Sequence, residues 1–303
     1  MKVFDRQKKE DFEEKVYGKW AVDFFWGNSF FSKTVGRVVG WLFAHFSFVS
    51  ILAGWFANSR FSRKEITRFI ESYNVDTSEF LDPIDSFDSF NAFFIRRLKK
   101  WVRPIDENPK SAVIPADGRY LFYQDGSVLE SLHFKGKKWT LEWLLQDEEL
   151  AKFYKAGPVV LGRLAPPDYH WFHFPCDGVP SEAKLVKGAL FSVNPQAIKQ
   201  RPTIFCENKR RITRIESKFG QVIMLEIGAT SVGSIHEIFT PNVSYKKGEP
   251  KGYFSFGGSQ VVLLFEPGRI HLDPELLAKT KEGIEVKCLL GQHLGTFGAT
   301  PVS

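Results

Sequence analysis

Hydrophobic and polar positions follow three different patterns along this chain. From Val38 to Ser59 (VVGWLFAHFSFVSILAGWFANS) there is no Asp, Glu, Lys or Arg. Such a run is long enough to cross a bilayer, which takes about 20 apolar residues. Basic residues flank it on both sides, Lys33 and Arg37 before, Arg60, Arg63 and Lys64 after. A spanning helix usually shows asymmetric basic loops. Basic residues at both ends, with many Phe and Trp, fit a helix lying in the membrane interface. The segment Trp20 to Phe31 (WAVDFFWGNSFF) extends that aromatic surface. A true span and a buried helix pair are the alternatives.

The second pattern is helical. Apolar positions at Phe90, Phe93, Phe94 and Leu98 predict a helix within Ser86–Arg97, stopped by Arg103-Pro104. The third begins near Ser111. Short β-prone runs alternate there with Gly, Pro, Asp and Asn turns: Val159 to Leu161, Thr203 to Phe205, Val222 to Ile227 and Val261 to Phe265. Leu141–Leu145 and Pro274–Lys279 read as short helices. The predicted fold class is α+β. N-terminal aromatic membrane-associating helices (1–100) precede a mostly antiparallel β-sheet or barrel-like catalytic core (101–303).

Composition narrows the classes. The chain has 303 residues, 43% hydrophobic and 25% charged, so a packed core is expected and disorder is not. Cys176, Cys206 and Cys288 are scattered and odd in number, which suggests a reducing compartment and gives no zinc signature. No metal site is expected. A net charge of +6, without basic runs interleaved with stacking aromatics, speaks against nucleic acid and suits an anionic lipid surface. The polar, charged start of the chain through about Lys19 shows no cleavable signal pattern.

Candidate chemistry concentrates at Phe256-Gly257-Gly258-Ser259-Gln260, which runs into the apolar Val261–Phe265. Glycine tolerates φ > 0 and close approach by other groups. The Gly258 carbonyl therefore lacks shielding where the Ser259 hydroxyl could reach it. The plainer reading is a glycine turn before a strand. His170 and His173 lie in PDYHWFHFP; three apart, they share a helix face but oppose each other on a strand. The aromatics and prolines around them favour strand or loop, and so separate jobs. Both histidines also have a purely structural reading. Asp117, in PADG, is by itself a turn aspartate. With His173 and Ser259 it is a candidate to orient a base, although triads are recognised by geometry rather than order. Ile227 to Ile235 (IGATSVGSI) has the composition of a phosphate loop but neither its ending nor its spacing.

Together these segments resemble the phosphatidylserine decarboxylase proenzyme family. PADG (115–118), YHWFHFPC (169–176), FSVNP (191–195), GAT (228–230) and FGGS (256–259) stand in its order and approximate spacing. KGE (247–249), GYF (252–254), FEPG (265–268), SFNAFFIRR (89–97) and RPID (103–106) also fit, and the likeness covers roughly residues 60–295. The family's cleavage motif is commonly Leu-Gly-Ser-Thr; here Gln260 takes the last place.

The resemblance implies a self-cleaving enzyme. Ser259 would attack the Gly258 carbonyl, with His173 as base and Asp117 orienting it. The chain would part into a β chain (1–258) and an α chain (259–303), the latter capped by a covalent pyruvoyl group made from Ser259. That group would form a Schiff base with phosphatidylserine, and His170 would supply the proton that replaces CO2. The implied product is phosphatidylethanolamine. Peripheral attachment to the cytoplasmic face of the cell membrane, and a homodimer of α/β units, would fit such a protein. The rival readings are a membrane-associated serine hydrolase using Asp117, His173 and Ser259, which lacks a GxSxG elbow, and a non-cleaving lipid-binding relative.

Overall fold

A computed structural model describes residues 2–14, 54–131, 133–134, 137–229, 235–257 and 259–298. The expected helices over Trp20–Phe31 and Val38–Ser59 lie outside the described residues, except 54–59, of which 54–58 are helical.

The run Ser259–Phe265 is buried at every position and lies near the middle of a ten-stranded sheet. Along one direction its neighbours are Gly220–Gly228, Arg210–Ser217 and Lys184–Val186; along the other they are Val159–Leu164, Gly118–Tyr123, Glu285–Cys288, Lys2–Asp5 and Glu10–Glu13. Val179–Pro180 pairs beside Arg210–Ser217. Every pairing is antiparallel except Lys2–Asp5 with Glu285–Cys288. The sheet is open, so the described strands close no barrel; the α+β, mostly antiparallel expectation holds and its barrel-like form does not. The N-terminal hundred residues are also not wholly helical, because residues 2–13 form two strands of this sheet.

A strand covered on both faces needs no polar alternation, and the two faces here build separate cores. Val261, Leu263 and Phe265 pack with Val222, Met224, Val160 and Phe122. Val262 and Leu264 pack with Ile223, Leu225, Leu161 and the helices Leu141–Leu145 and Glu148–Tyr154. A three-stranded sheet of Ile235–Glu237, Pro250–Phe254 and Trp171–His173 covers the first face through Phe172, Phe254 and Ile235. A second one is formed by Ile270–Leu272, His293–Phe297 and Ser111–Val113.

One β-prone run folds otherwise. Ile204–Glu207 is a short helix, not a strand. The Thr203 carbonyl accepts the N–H groups of Cys206 and Glu207 at 2.9 and 3.0 Å, and the Thr203 hydroxyl meets the Glu207 carboxylate at 2.5 Å. Local bonds outweigh strand propensity, which depends on context.

The phenylalanines of the helical region form their own core. Phe69, Phe80, Phe87, Phe90, Phe93 and Phe94 pack together with Ile66. The predicted helix is the short Phe90–Phe94, begun by Ser89, whose hydroxyl accepts the Ala92 N–H at 3.2 Å. Five residues are too few for an isolated helix to persist in water. Packing holds this one: Phe93 meets Phe69, Phe80, Phe87 and Phe90 at centroid distances of 5.7 to 6.0 Å. Its loss to alanine should cost about 3–5 kcal/mol.

Candidate active site

Ser259 opens its strand, paired with Gly228 on one side and Leu164 on the other. It is 0% exposed, and among the described residues its Oγ has no hydrogen-bond partner. Gly258 lies outside the described residues. Gly257 before it has φ +148°, a conformation that favours glycine. The N–H of Phe256 donates to Asn91 Oδ1 at 2.8 Å, and the Phe256 ring stands edge-on to Phe90 and Phe94 at 5.1 and 5.2 Å. The helix Phe90–Phe94 thus grips the loop that leads to the Gly258–Ser259 bond.

The same helix touches a histidine. The Phe94 ring lies 3.9 Å from that of His170, centre to centre. His170 Nδ1 lies 2.9 Å from the Asp168 carbonyl, and its buried Nε2 has no partner among the described residues. A carbonyl only accepts, so Nδ1 carries the proton and Nε2 the lone pair. Burial lowers the His170 pKa to about 3, against the pull of Asp168, with Arg96 and Arg119 lowering it further. His170 is therefore neutral at pH 7. His173 ends the adjoining strand, its N–H on the Pro115 carbonyl at 2.8 Å. Burial lowers its pKa to about 4 while the Pro115 backbone opposes the drop, and its buried Nδ1 makes no well-formed hydrogen bond among the described residues. His170 stands just before that strand, which fits the strand-or-loop reading of the segment.

Asp117 is buried and held elsewhere. Arg103 reaches its Oδ2 through Nη2 at 2.7 Å and Nε at 3.0 Å, and the Leu290 N–H reaches Oδ1 at 2.8 Å. Arg103 also grips Glu79 with two bonds of 3.0 Å. Burial raises the Asp117 pKa while Arg103 opposes the rise. Among the described residues no hydrogen bond joins Asp117, His173 and Ser259.

Several residues near the site went unremarked in the sequence. Asp168, two before His170, pairs with Arg119 and accepts the Ala165 N–H at 2.6 Å. Its carbonyl also receives Arg96 Nη2 at 3.2 Å, so one acceptor serves both Arg96 and His170. Lys251 sits at the bulge between Pro250, paired with His173, and Gly252, paired with Phe172. Fully buried, it meets Glu226 at 2.8 Å and Glu237 at 3.2 Å. Burial raises the Glu226 pKa to about 7, while Lys251 opposes the rise. Only the proximity of Asp168 to His170 was visible in the sequence; the other partners are brought together by the sheets.

Two motif segments have structural work. Asn194 caps the helix Pro195–Gln200 by accepting the Gln196 N–H at 2.9 Å. Asn208 bonds both the N–H and the carbonyl of Phe191 and the carbonyl of Gly228, each at 2.9 Å. Thr230 to Ser234 lie outside the described residues. The three cysteines are buried free thiols, and no metal-binding cluster occurs among the described residues.

A group made from Ser259 would need that serine dry, unpartnered and at a chain position that parts without unravelling the sheet, and the residues fit on each count. Comparison with known proteins points the same way. The family model described as phosphatidylserine decarboxylase matches residues 90–296. A phosphatidylserine decarboxylase proenzyme of Chlamydia pneumoniae is 46% identical over 81% of this chain and 82% of its own. Those of Chlamydia muridarum and Clostridium novyi are 43% and 40% identical, covering 94% and 98% of this chain and 89% and 99% of theirs. Glucose permease IIA from Mycoplasma capricolum, a solved structure, overlays with a TM-score of only 0.29 at 13% identity, over 61% of this chain and 93% of that one, too slight a likeness to inform the fold. With the family match spanning His170, His173 and Ser259, the chain belongs to the phosphatidylserine decarboxylase family.

Proposed function

We propose that this protein converts phosphatidylserine to phosphatidylethanolamine and CO2 after cutting itself between Gly258 and Ser259. The observation that carries the reading is Ser259, buried and unpartnered at the head of a central strand, inside the matched region. The relatives are named proenzymes, which suits a chain that is cut before it works.

A serine hydroxyl is a weak nucleophile and needs a base. His173 is neutral at pH 7 and can take the Oγ proton. Asp117 orients it in this reading, which requires one carboxylate oxygen to turn from Arg103 toward His173. After cleavage the α chain stays in place, because Ser259–Phe265 keeps strands of the β chain on both sides.

The pyruvoyl group derived from Ser259 supplies a carbonyl that takes up the substrate amine and withdraws electrons from the carbon losing CO2. The substrate ammonium must first lose a proton, and that carbon must later gain one. His170 Nε2, a free lone pair at neutral pH, can accept the first proton and return it in the second step. The Asp168 carbonyl keeps the Nδ1 proton in place throughout.

The acyl chains of the substrate stay in the bilayer, so the protein works at its surface. Trp55, Phe61 and Trp101 are 71%, 77% and 75% exposed, in a region that also carries Arg60, Arg63, Lys64, Lys99 and Lys100. Exposed aromatics among basic residues suit peripheral docking on an anionic membrane. Among the described residues no helix is long and apolar enough to cross one.

The test is incubation with phosphatidylserine vesicles. Wild type should release CO2 and form phosphatidylethanolamine, Ser259→Ala neither. His170→Ala should still cleave itself but lose about 100-fold in turnover. Release of fatty acid or free head group by an intact chain would instead establish a hydrolase.

A further inference from the structure

Self-cleavage requires the Ser259 hydroxyl and the Gly258 carbonyl to meet in one geometry, and glycine-rich backbone does not hold geometry by itself. Among the described residues, the loop before the bond has one side-chain anchor on its backbone. Asn91 Oδ1 accepts the Phe256 N–H at 2.8 Å, across 165 residues of sequence. An N–H only donates, so this bond fixes the amide's orientation. Asn91 Nδ2 consequently faces Asn58 and donates to its Oδ1 at 2.9 Å, while Asn58 Nδ2 donates to the Gly54 carbonyl at 2.8 Å. Asn91 is buried on a helix whose neighbouring residues Phe90 and Phe94 clasp the Phe256 ring.

We propose that Asn91 is a positioning residue for self-cleavage: by holding the Phe256 N–H it sets the direction in which Gly257 leads into the bond before Ser259. The assignment rests on cleavage at Gly258–Ser259. A displacement of about 1 Å at a reacting centre costs on the order of 100-fold in rate, and the anchor lies two residues from the bond. The acceptor on Asn91 is the working atom; its donation to Asn58 is support.

The experiment follows cleavage of freshly made full-length protein on denaturing gels. Asn91→Ala should cleave about 100-fold more slowly than wild type. Asn91→Asp keeps an acceptor for the Phe256 N–H and should restore most of the rate. Asn58→Ala removes the support but not the acceptor and should cleave within a few-fold of wild type. Amide exchange adds a measurement that does not depend on cleavage: in the uncleaved Ser259→Ala protein the Phe256 N–H should exchange slowly, and Asn91→Ala should release it. A cleaved wild type with an equally fast Asn91→Ala overturns the Asn91 assignment alone. So do Asp and Ala variants that are equally slow, or a fast-exchanging Phe256 N–H in Ser259→Ala. A wild type that stays intact overturns the cleavage reading, and the Asn91 role with it.

Discussion

Two buried regions meet the Ser259–Phe265 strand and treat their polar atoms in opposite ways. On the face of Gln260, the charges are matched: Arg163 holds Glu285 through Nε and Nη2 at 2.9 and 2.5 Å and Glu14 at 2.5 Å, and Arg119 pairs with Glu14 and Asp168. Among the described residues, Ser259 Oγ, His170 Nε2 and His173 Nδ1 are all buried without hydrogen-bond partners. An unmet buried polar atom costs about 1–3 kcal/mol. The ionised groups on the Gln260 face are thus paired, although Gln260 itself is not, whereas the three candidate reacting atoms are bare among the described residues. A nucleophile and a base already engaged elsewhere would first have to break those bonds.

The comparison predicts different losses on the two sides. The largest belongs to His173→Ala, which should slow self-cleavage by about 10²–10⁴-fold while leaving a folded chain, as read from fragment appearance on gels and the circular dichroism of the uncut protein. Next is the paired cluster behind the histidine strand. Lys251→Met strands Glu226 and should lower stability by about 3–5 kcal/mol. The double change Lys251→Met with Glu226→Leu removes both charges and should recover most of that loss; urea unfolding of each variant measures it.

Acidity separates the regions again. Histidine titrates near 6.5 in an unfolded chain, but at about 4 for His173 in the fold. Between those values the unfolded chain binds the extra proton. The stability tied to a neutral His173 is therefore complete above about pH 6.5 and declines as pH falls toward 4. Glu226, with its pKa raised to about 7, has the opposite slope, so the clean quantity is a difference between variants. In the uncleaved Ser259→Ala background, adding His173→Ala should reduce the stability lost between pH 6.5 and 5 by about 2 kcal/mol. Unfolding curves at the two pH values test this.

The smallest effect should come from Gln260. Among the described residues both its side-chain polar atoms are buried without partners, and strand alternation turns it away from the Ser259 face. Gln260→Leu should stabilise the protein by about 1 kcal/mol and leave the cleavage rate unchanged. A marked change in rate would show that the two faces are not independent.

Much of this was legible because the signals were local. Glycines before an apolar run marked Ser259 and its strand, and the aromatics and prolines around His170 and His173 marked strand or loop rather than helix. The phenylalanines marked a helix within Ser86–Arg97, though it spans five residues rather than a longer run. What was hidden depends on distant partners. Lys2–Asp5 is short and half charged, and becomes a strand by pairing with Glu285–Cys288 at the far end of the chain. Asn91 reads as an ordinary helix residue until Phe256 reaches it. Asp117 was expected beside His173, whereas Arg103, fourteen residues earlier, binds its carboxylate.

The central claim is that the bond before Ser259 breaks and the serine is transformed. Intact mass spectrometry of freshly made protein, beside Ser259→Ala, tests it directly. The account predicts two species from wild type, residues 1–258 and 259–303, the smaller lacking a free amino group and carrying pyruvoyl in place of serine. Ser259→Ala should give one full-length mass. A single full-length mass from active wild-type protein, or a smaller fragment that still begins with serine, would contradict it.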